Sequence, residues 1–336
     1  MTATTVASTR AAPTPGADRS RARARGLLLL RRLGSAVFVL WGTITVTFIV
    51  LSVLPGNRAT IVLNVQSGQT TVRTAAEIAA VDRQYGWDKP VVVQYFDYLL
   101  GLLHGDLGVS WQLKRTVGSI IAEQFGPTIT LAIASLLVAW ILTIPWTLWT
   151  AGRGRIRGSI GSAVETIAAG LPQYWVGIML LLVFAVNLGW FPVLGGTGFA
   201  GTVLPVFTLA IPLAGFLGQA TRTEFDRAVR QPFVLSARTR GMTESGVRSR
   251  HVLRHALIPG ITLSGWAVGS SLSGAVLVES VYGRPGLGTV LVSAVSNKDL
   301  DLVMGIVILI SFVYVVVNLL VDVIYTIVDP RLGGTR

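Results

Sequence analysis

Hydrophobic positions in this chain come in uninterrupted runs, several of them too long for a water-soluble fold. Leu33–Leu54 is 22 residues without a charge. At about 1.5 Å per residue that is roughly 33 Å of helix, enough to cross a bilayer. Gln124–Gly152 is a second uncharged run, and Thr166–Thr221 is a third, 56 residues with no Asp, Glu, Lys or Arg. The third is too long for one helix and is punctuated by Leu194-Gly-Gly-Thr-Gly-Phe-Ala-Gly201, so it reads as two spans joined by a Gly-rich turn. Ala256–Val278 is the fifth span, and Leu302–Val321, running on towards Val328, the sixth. Backbone polar groups cannot face lipid unpaired, so these spans are predicted to be helices. The expected fold class is an all-α membrane protein of six transmembrane helices.

Between the first two spans lie residues 55–123, of mixed polarity. Thr74-Ala-Ala-Glu-Ile-Ala-Ala-Val-Asp-Arg-Gln84 has an amphipathic helical pattern, and Asp88–His104 carries apolar residues at helical spacing. The expectation is a helical insertion outside the membrane, serving as a lid over the helix ends, as a platform for a soluble partner, or as both. Residues 1–26 are Ala-, Thr-, Pro- and Arg-rich and read as a disordered basic tail, leaving 27–336 as the membrane domain. Arg31 and Arg32 interrupt the run that follows, and no small-x-small site comes after it, so the first helix reads as retained rather than as a cleaved signal.

Composition agrees with a bilayer setting: 51% of residues are hydrophobic and 13% charged. With no cysteine there are no disulfides, thiol chemistry or Cys metal sites. His104, His251 and His255 make no evident metal site, although the last two share a helix face, and no metal ligand is assigned. The net charge of +12 is mostly a topology signal. With the N-terminus inside, segments 1–32, 153–157, 222–254 and 329–336 hold 20 Lys and Arg, against 8 outside. That bias places both termini in the cytoplasm. A basic tail also suits contact with anionic lipid, whereas nucleic acid is not expected as a partner of six apolar spans.

Within the spans, ionisable residues are sparse. Glu165 and Asp322 are the clear cases, both near the inner boundary, where structural pairing with Arg157 and Arg331 is the expected reading. A proton- or ion-coupled carrier needs such groups near the midplane, so energy for transport has to come from elsewhere. The chain has no G-x-x-x-x-G-K-[ST] loop, and Gly283-Arg-Pro-Gly-Leu-Gly288 reads as a turn outside. Ser-x-x-Lys, Gly-x-Ser-x-Gly and His-Glu-x-x-His are also absent, and no catalytic residues are assigned.

The patterned exception to all this apolarity is the basic island Arg222–Pro259, with eight Arg, three acidic residues and two His. Pro232 suits the first turn of a helix running to Arg240, and Gly241 permits the reversal that ends it. Thr243 is suited to cap a second helix with Glu244 in its first turn. That helix is expected to run to about His255, with Pro259 opening the next span. The product is a compact cytoplasmic knob. The bland alternative is a solvated loop that merely fixes topology; the Pro/Gly punctuation favours docking into a groove on a partner.

Ser236-Ala-Arg-Thr-Arg-Gly241, eighteen residues before Pro259, resembles the coupling motif of ABC importer permeases (Glu-Ala-Ala, three residues, Gly). The likeness extends along the chain. Leu30-Arg-Arg-Leu33 to Leu54-Pro-Gly56 resembles the first span of the B-type permease of dipeptide, oligopeptide and nickel importers. So do Tyr85-Gly-Trp-Asp-Lys-Pro90, Gln94-Tyr95, Leu103-His-Gly-Asp-Leu-Gly108 and Leu171-Pro-Gln-Tyr-Trp-Val-Gly177. Val278-Glu-Ser-Val-Tyr-Gly-Arg-Pro-Gly-Leu-Gly288 and Asp322-Val-Ile-Tyr-Thr-Ile-Val-Asp-Pro-Arg331 complete the series. Leu235 stands where the general motif has Glu, which removes any salt bridge from that position.

The resemblance implies a type I importer permease fold in the bacterial cytoplasmic membrane, working by alternating access without catalysis of its own. It implies a second homologous permease, two ATP-binding cassette subunits that carry ATP and Mg, and an extracytoplasmic solute-binding protein. Phe233, Ala237, Arg238, Arg240, Gly241, His251 and Pro259 would couple to the ATPase. Asp88, Lys89, Pro90, Gln94 and Asp106 would meet the binding protein. Peptide is the expected cargo, with nickel, a metallophore or haem as alternatives within the family. A self-sufficient carrier or channel, and a scaffold or receptor subunit, are the alternatives of another class.

Overall fold

The computed structural model describes residues 15–328 apart from Thr197, with side chains described from residue 31 to residue 320. Residues 1–14 and 329–336, and the side chain of Asp322, lie outside the described residues. Helix α1 spans Pro15–Val53, so the stretch 15–26, expected to be disordered, is helical. Its Ala and Arg residues are good helix formers and continue a helix already nucleated by the apolar run.

The insertion follows as α2 (Arg58–Ser67), α3 (Ala75–Tyr85) and α4 (Val91–Leu103), then a two-stranded hairpin of β1 (Val109–Ser110) and β2 (Arg115–Thr116). Helix α3 begins where the sequence indicated. Thr74 Oγ1 accepts from the Glu77 amide and Glu77 Oε2 accepts from the Thr74 amide, a reciprocal cap. The hairpin was not expected.

The second span is α5 (Val117–Thr150), which begins seven residues before the uncharged run. The third span departs from the expected straight helix. It is a broken pair, α6 (Arg155–Gly170) and α7 (Gln173–Leu180, continued as π-turns through Asn187), bent by 98°. Pro172 has no amide hydrogen and disfavours a helical Leu171, so the helix cannot pass straight through. The fourth span is α8 (Ala200–Ala228), reached through the Gly-rich turn.

Helix α9 (Pro232–Thr239) leads to α10 (Glu244–Gly246), π-turns over Val247–Val252 and α11 (Leu253–Tyr282). The last three form one continuous helical segment, Glu244–Tyr282. Pro259 was expected to open the span; it lies inside the helix instead. A proline deletes one backbone bond, and neighbouring helices in a membrane bundle let the remainder continue. Helix α12 (Leu287–Ser296) is short and apolar, and α13 (Leu300–Val328) is the last span. Among the described residues, five helices are long and apolar enough to cross a membrane, six with the bent pair taken as one span.

Helix α8 is the centre of the bundle, packed on α5, α6 and α11. Gly215 faces the Ala168–Ala169 backbone and Gly218 faces the Glu165 side chain, so α6 lies close against it. A second core joins α1 to α13 through Ile44, Phe48, Leu51, Leu302 and Met304. The bundle therefore has two ends, a basic end carrying residues 222–255 and an insertion end carrying 55–116.

Candidate functional site

At the basic end, α9 folds back on the start of the continuous helix. Gly241 has φ of +82°, the left-handed backbone that a reversal needs and that glycine adopts without a Cβ penalty. Thr243 Oγ1 then accepts from the Gly246 amide at 3.3 Å and caps the second helix. Val234, Ala237, Val247, Val252 and Ala256 are buried with Phe225, Ala228 and Ala151, giving the knob its own core.

The site residues expected from sequence separate into inner and outer groups. Ala237 is buried, so its small side chain serves the packing of α9 on residues 247–252. Phe233 is half-buried, its ring 4.9 Å from that of His255. Arg238 makes a two-pronged contact with Glu244 at 3.1 and 3.0 Å, both side chains largely exposed. Arg240 is exposed and donates from Nε to the Ser236 carbonyl at 3.1 Å. Gly241 and His251 are exposed. Leu235 presents an apolar side chain to the outside, 65% exposed. Pro259 joins Glu224, Arg227, Gln231, Phe233 and His255 in lining an open groove of about 410 Å³.

Two arginines of the island do something the sequence did not reveal. Arg222 is buried and paired with Glu165, Nε to Oε2 at 2.6 Å and Nη2 to Oε1 at 2.8 Å, and it also reaches Thr150 Oγ1. Glu165 was expected to pair near Arg157. Arg248 is buried over the Phe225 ring at 4.8 Å. It donates to the carbonyls of Leu148 (2.9 Å) and Ala151 at the end of α5. Those carbonyls lack helical partners, and a guanidinium there satisfies them.

At the insertion end, Asp88, Lys89 and Pro90 are exposed. Lys89 Nζ lies 2.7 Å from Asp97 Oδ2, and that hydrogen bond raises the ammonium's pKa above its ordinary value. Gln94 and Asp106 work within the fold. Gln94 Nε2 donates to the Trp87 and Lys89 carbonyls at 3.1 and 2.8 Å, and Asp106 Oδ1 accepts from the Gly108 amide at 2.9 Å. Lys298 donates to the Leu54 and Gly56 carbonyls at 3.1 and 2.9 Å and to that of Pro55, clasping the end of α1. Asp299 is buried. Its carboxylate accepts from Ser110 Oγ at 2.5 Å and from the Gln112 and Leu302 amides at 3.3 and 3.4 Å.

Glu279, one residue beyond the expected end of the fifth span, is buried within α11. Its Oε1 accepts from Thr128 Oγ1 and its Oε2 from the Gly288 amide, each at 2.7 Å. Thr128 Oγ1 in turn accepts from the Leu287 amide at 2.9 Å. The Gly283–Gly288 stretch, read as a plain turn, is thus the cradle that fastens α12 to α5 and α11. The signal was a carboxylate one residue past an apolar run, followed by closely spaced glycines. Among the described residues no group of three or more His, Asp or Glu is placed to hold a metal ion.

Residues 143–334 match the family model described as the binding-protein-dependent transport system inner membrane component. Residues 27–132 match the N-terminal model of the same transport-system membrane component. A protein of Brucella abortus (strain 2308), named as a peptide transport system permease, is 33% identical over 325 residues, covering 90% of this chain and 98% of its own. The glutathione transport system permease protein GsiC of Salmonella typhimurium (strain LT2) is 31% identical over 308 residues, with the same coverage. A chain from a crystal structure of an amino acid ABC transporter with histidines aligns with TM-score 0.47 and 16% identity, covering 64% of this chain and 94% of that one. The chain belongs to the family of inner membrane components of binding-protein-dependent transport systems. It is a non-catalytic, multi-pass permease subunit of an ABC importer and works with other subunits.

Proposed function

We propose that this subunit forms one half of a pathway that imports peptides by alternating access. The observation that carries the coupling part is the continuous helix Glu244–Tyr282. A displacement of the Thr243 cap is passed along one continuous helical element to Glu279, which is tied to α5 and α12. Two ATP-binding cassette subunits, holding ATP and Mg, would seat the knob through Phe233, Arg238, Arg240, Gly241, His251 and the Pro259 groove. Ala237 would support it from inside. The second half of the pathway is a homologous permease. An extracytoplasmic solute-binding protein would dock near Asp88–Pro90, with Gln94 and Asp106 shaping the adjoining turns. The bias of 20 Lys and Arg against 8 supports termini in the cytoplasm. The relatives named for peptide and glutathione transport support peptide cargo.

Gly241→Asp and Gly241→Ala test the coupling. A Cβ at Gly241 would meet no atom within 4 Å, so the alanine change does not disturb internal packing. The left-handed backbone makes the alanine change cost about 1–2 kcal/mol. Expected is a Gly241→Asp complex that assembles in the membrane but loses uptake and substrate-stimulated ATP hydrolysis; normal uptake refutes the coupling role. Mass spectrometry of the ligand held by the co-purified binding protein tests the cargo. A nickel chelate, other metallophore or haem in place of peptide overturns that part alone.

A further inference from the structure

Helix α4 has three faces. On a wheel of 3.6 residues per turn, Tyr95, Tyr98, Leu99 and Leu102 share one stripe, and all four pack on the core that α1 shares with α13. The Tyr95 hydroxyl is 2.7 Å from Thr45 Oγ1, and its ring is 5.3 Å from that of Phe48. Thr45 lies eight residues before the end of α1, roughly 12 Å along the axis at 1.5 Å per residue. Tyr95 therefore reaches well down the length of a membrane-crossing helix. A second stripe, Val92, Phe96, Leu100 and Leu103, is 65%, 56%, 56% and 81% exposed. The third stripe is polar, Gln94, Asp97 and His104, with Asp97 tied to Lys89. Next to α4, the first span exposes its own apolar stripe, Val46, Ile49, Val50 and Val53.

We infer that α4 is a membrane-interface helix. Its Val92–Leu103 stripe is seated among lipid acyl chains in continuity with the lipid face of α1, and its Gln94–His104 stripe lies at the headgroups. An apolar stripe beside a polar one, on a helix anchored to a span, is the pattern of an element lying in the interfacial plane. In water the same stripe would be a large exposed patch. The insertion is then held at the bilayer surface as well as by its packing on α1 and α13 and the bonds of Asp299 to its hairpin.

The chain has no cysteine, so one introduced cysteine is unique within it, and spin labelling beside a control assembly that holds the unsubstituted chain tests this directly. Labels go on Phe96→Cys and Leu100→Cys for the apolar stripe and on Asp97→Cys and His104→Cys for the polar one, in the assembled transporter in proteoliposomes. Val92→Cys and Leu103→Cys serve the apolar stripe if the first pair fails to assemble. Expected is a collision rate with oxygen several-fold above that with a water-soluble nickel chelate at the apolar positions, reversed at the polar ones. Strong chelate access on the apolar stripe overturns the inference and marks a surface for a soluble protein. Low access to both quenchers overturns it in favour of a covering membrane subunit.

Discussion

Glu165 and Arg222 form a buried ion pair across 57 residues of sequence, closing α6 onto α8 with Thr150 of α5 as a third partner. Gly218 leaves room for the carboxylate and Gly161 for the guanidinium. Two charges held this way stabilise little against an apolar pair of the same size, yet stranding one of them is costly, about 3–5 kcal/mol. Glu165→Met and Arg222→Met are each expected to lower the midpoint of thermal unfolding of the purified complex by several degrees, while the double variant recovers most of the loss. Additive losses across the cycle would show that the two side chains do not act as a pair.

Glu279 predicts a different pattern, because its partners are neutral. Glu279→Gln keeps an acceptor oxygen for the Gly288 amide and sets an NH2 against Thr128. The Thr128 hydroxyl must then turn to the Gln124 carbonyl at 3.3 Å, so the loss is smaller than for a donor left unmatched. A buried unmatched polar contact costs about 1–3 kcal/mol. Gly288 cannot take a side chain without displacing the Val276 backbone of α11. Uptake should fall in Glu279→Gln and be lost in Gly288→Ala, with faster proteolysis between α11 and α12 in both. Full transport in Gly288→Ala would mean that α12 need not stay fastened.

The spans were legible because lipid permits few alternatives, so length and lack of charge sufficed for Leu33–Leu54 and Gln124–Gly152. The Thr243 cap and the Gly241 reversal were legible because both are local. The third span was not, because one uncharged run hides the Leu171–Pro172 break. Arg222 and Arg248 looked like topology charges, since their partners lie 57 and 97–100 residues away and only packing brings them together. Ala237 was assigned to coupling without its burial being legible, because a small residue has the same spacing whether it faces a partner or its own core.

Asp299 gives a pH dependence. Burial raises its pKa above the ordinary aspartate value, outweighing the bonds from Ser110, Gln112 and Leu302. A carboxyl group with a raised folded-state pKa contributes stability that is present below its unfolded pKa and is lost as pH rises through the folded one. The hairpin Val109–Thr116 should therefore loosen as pH rises above the ordinary carboxylate range. Asp299→Asn, a mimic of the neutral form, should show a shallower dependence, with the remainder carried by the neighbouring Asp301 carboxyl that also faces Val109. Hydrogen exchange of residues 109–116, corrected for the intrinsic rate, reads the difference; parallel profiles in the two proteins would exclude Asp299 as the source.

Arg248 separates support from docking at the basic end. It is buried, whereas Arg238 and Glu244 form a largely exposed pair worth about 0–1 kcal/mol. Arg238→Ala should leave the unfolding midpoint nearly unchanged and weaken substrate-stimulated ATP hydrolysis, because its guanidinium faces the proposed partner. Arg248→Met removes the donor to the Leu148 and Ala151 carbonyls and should lower the midpoint and coupling together. The knob would be released from the end of α5, so movement at α9 would no longer be shared between α5 and α11. If Arg238→Ala lowered the midpoint as much as Arg248→Met, the exposed pair would be a structural element, and the docking face would have to lie elsewhere on the knob.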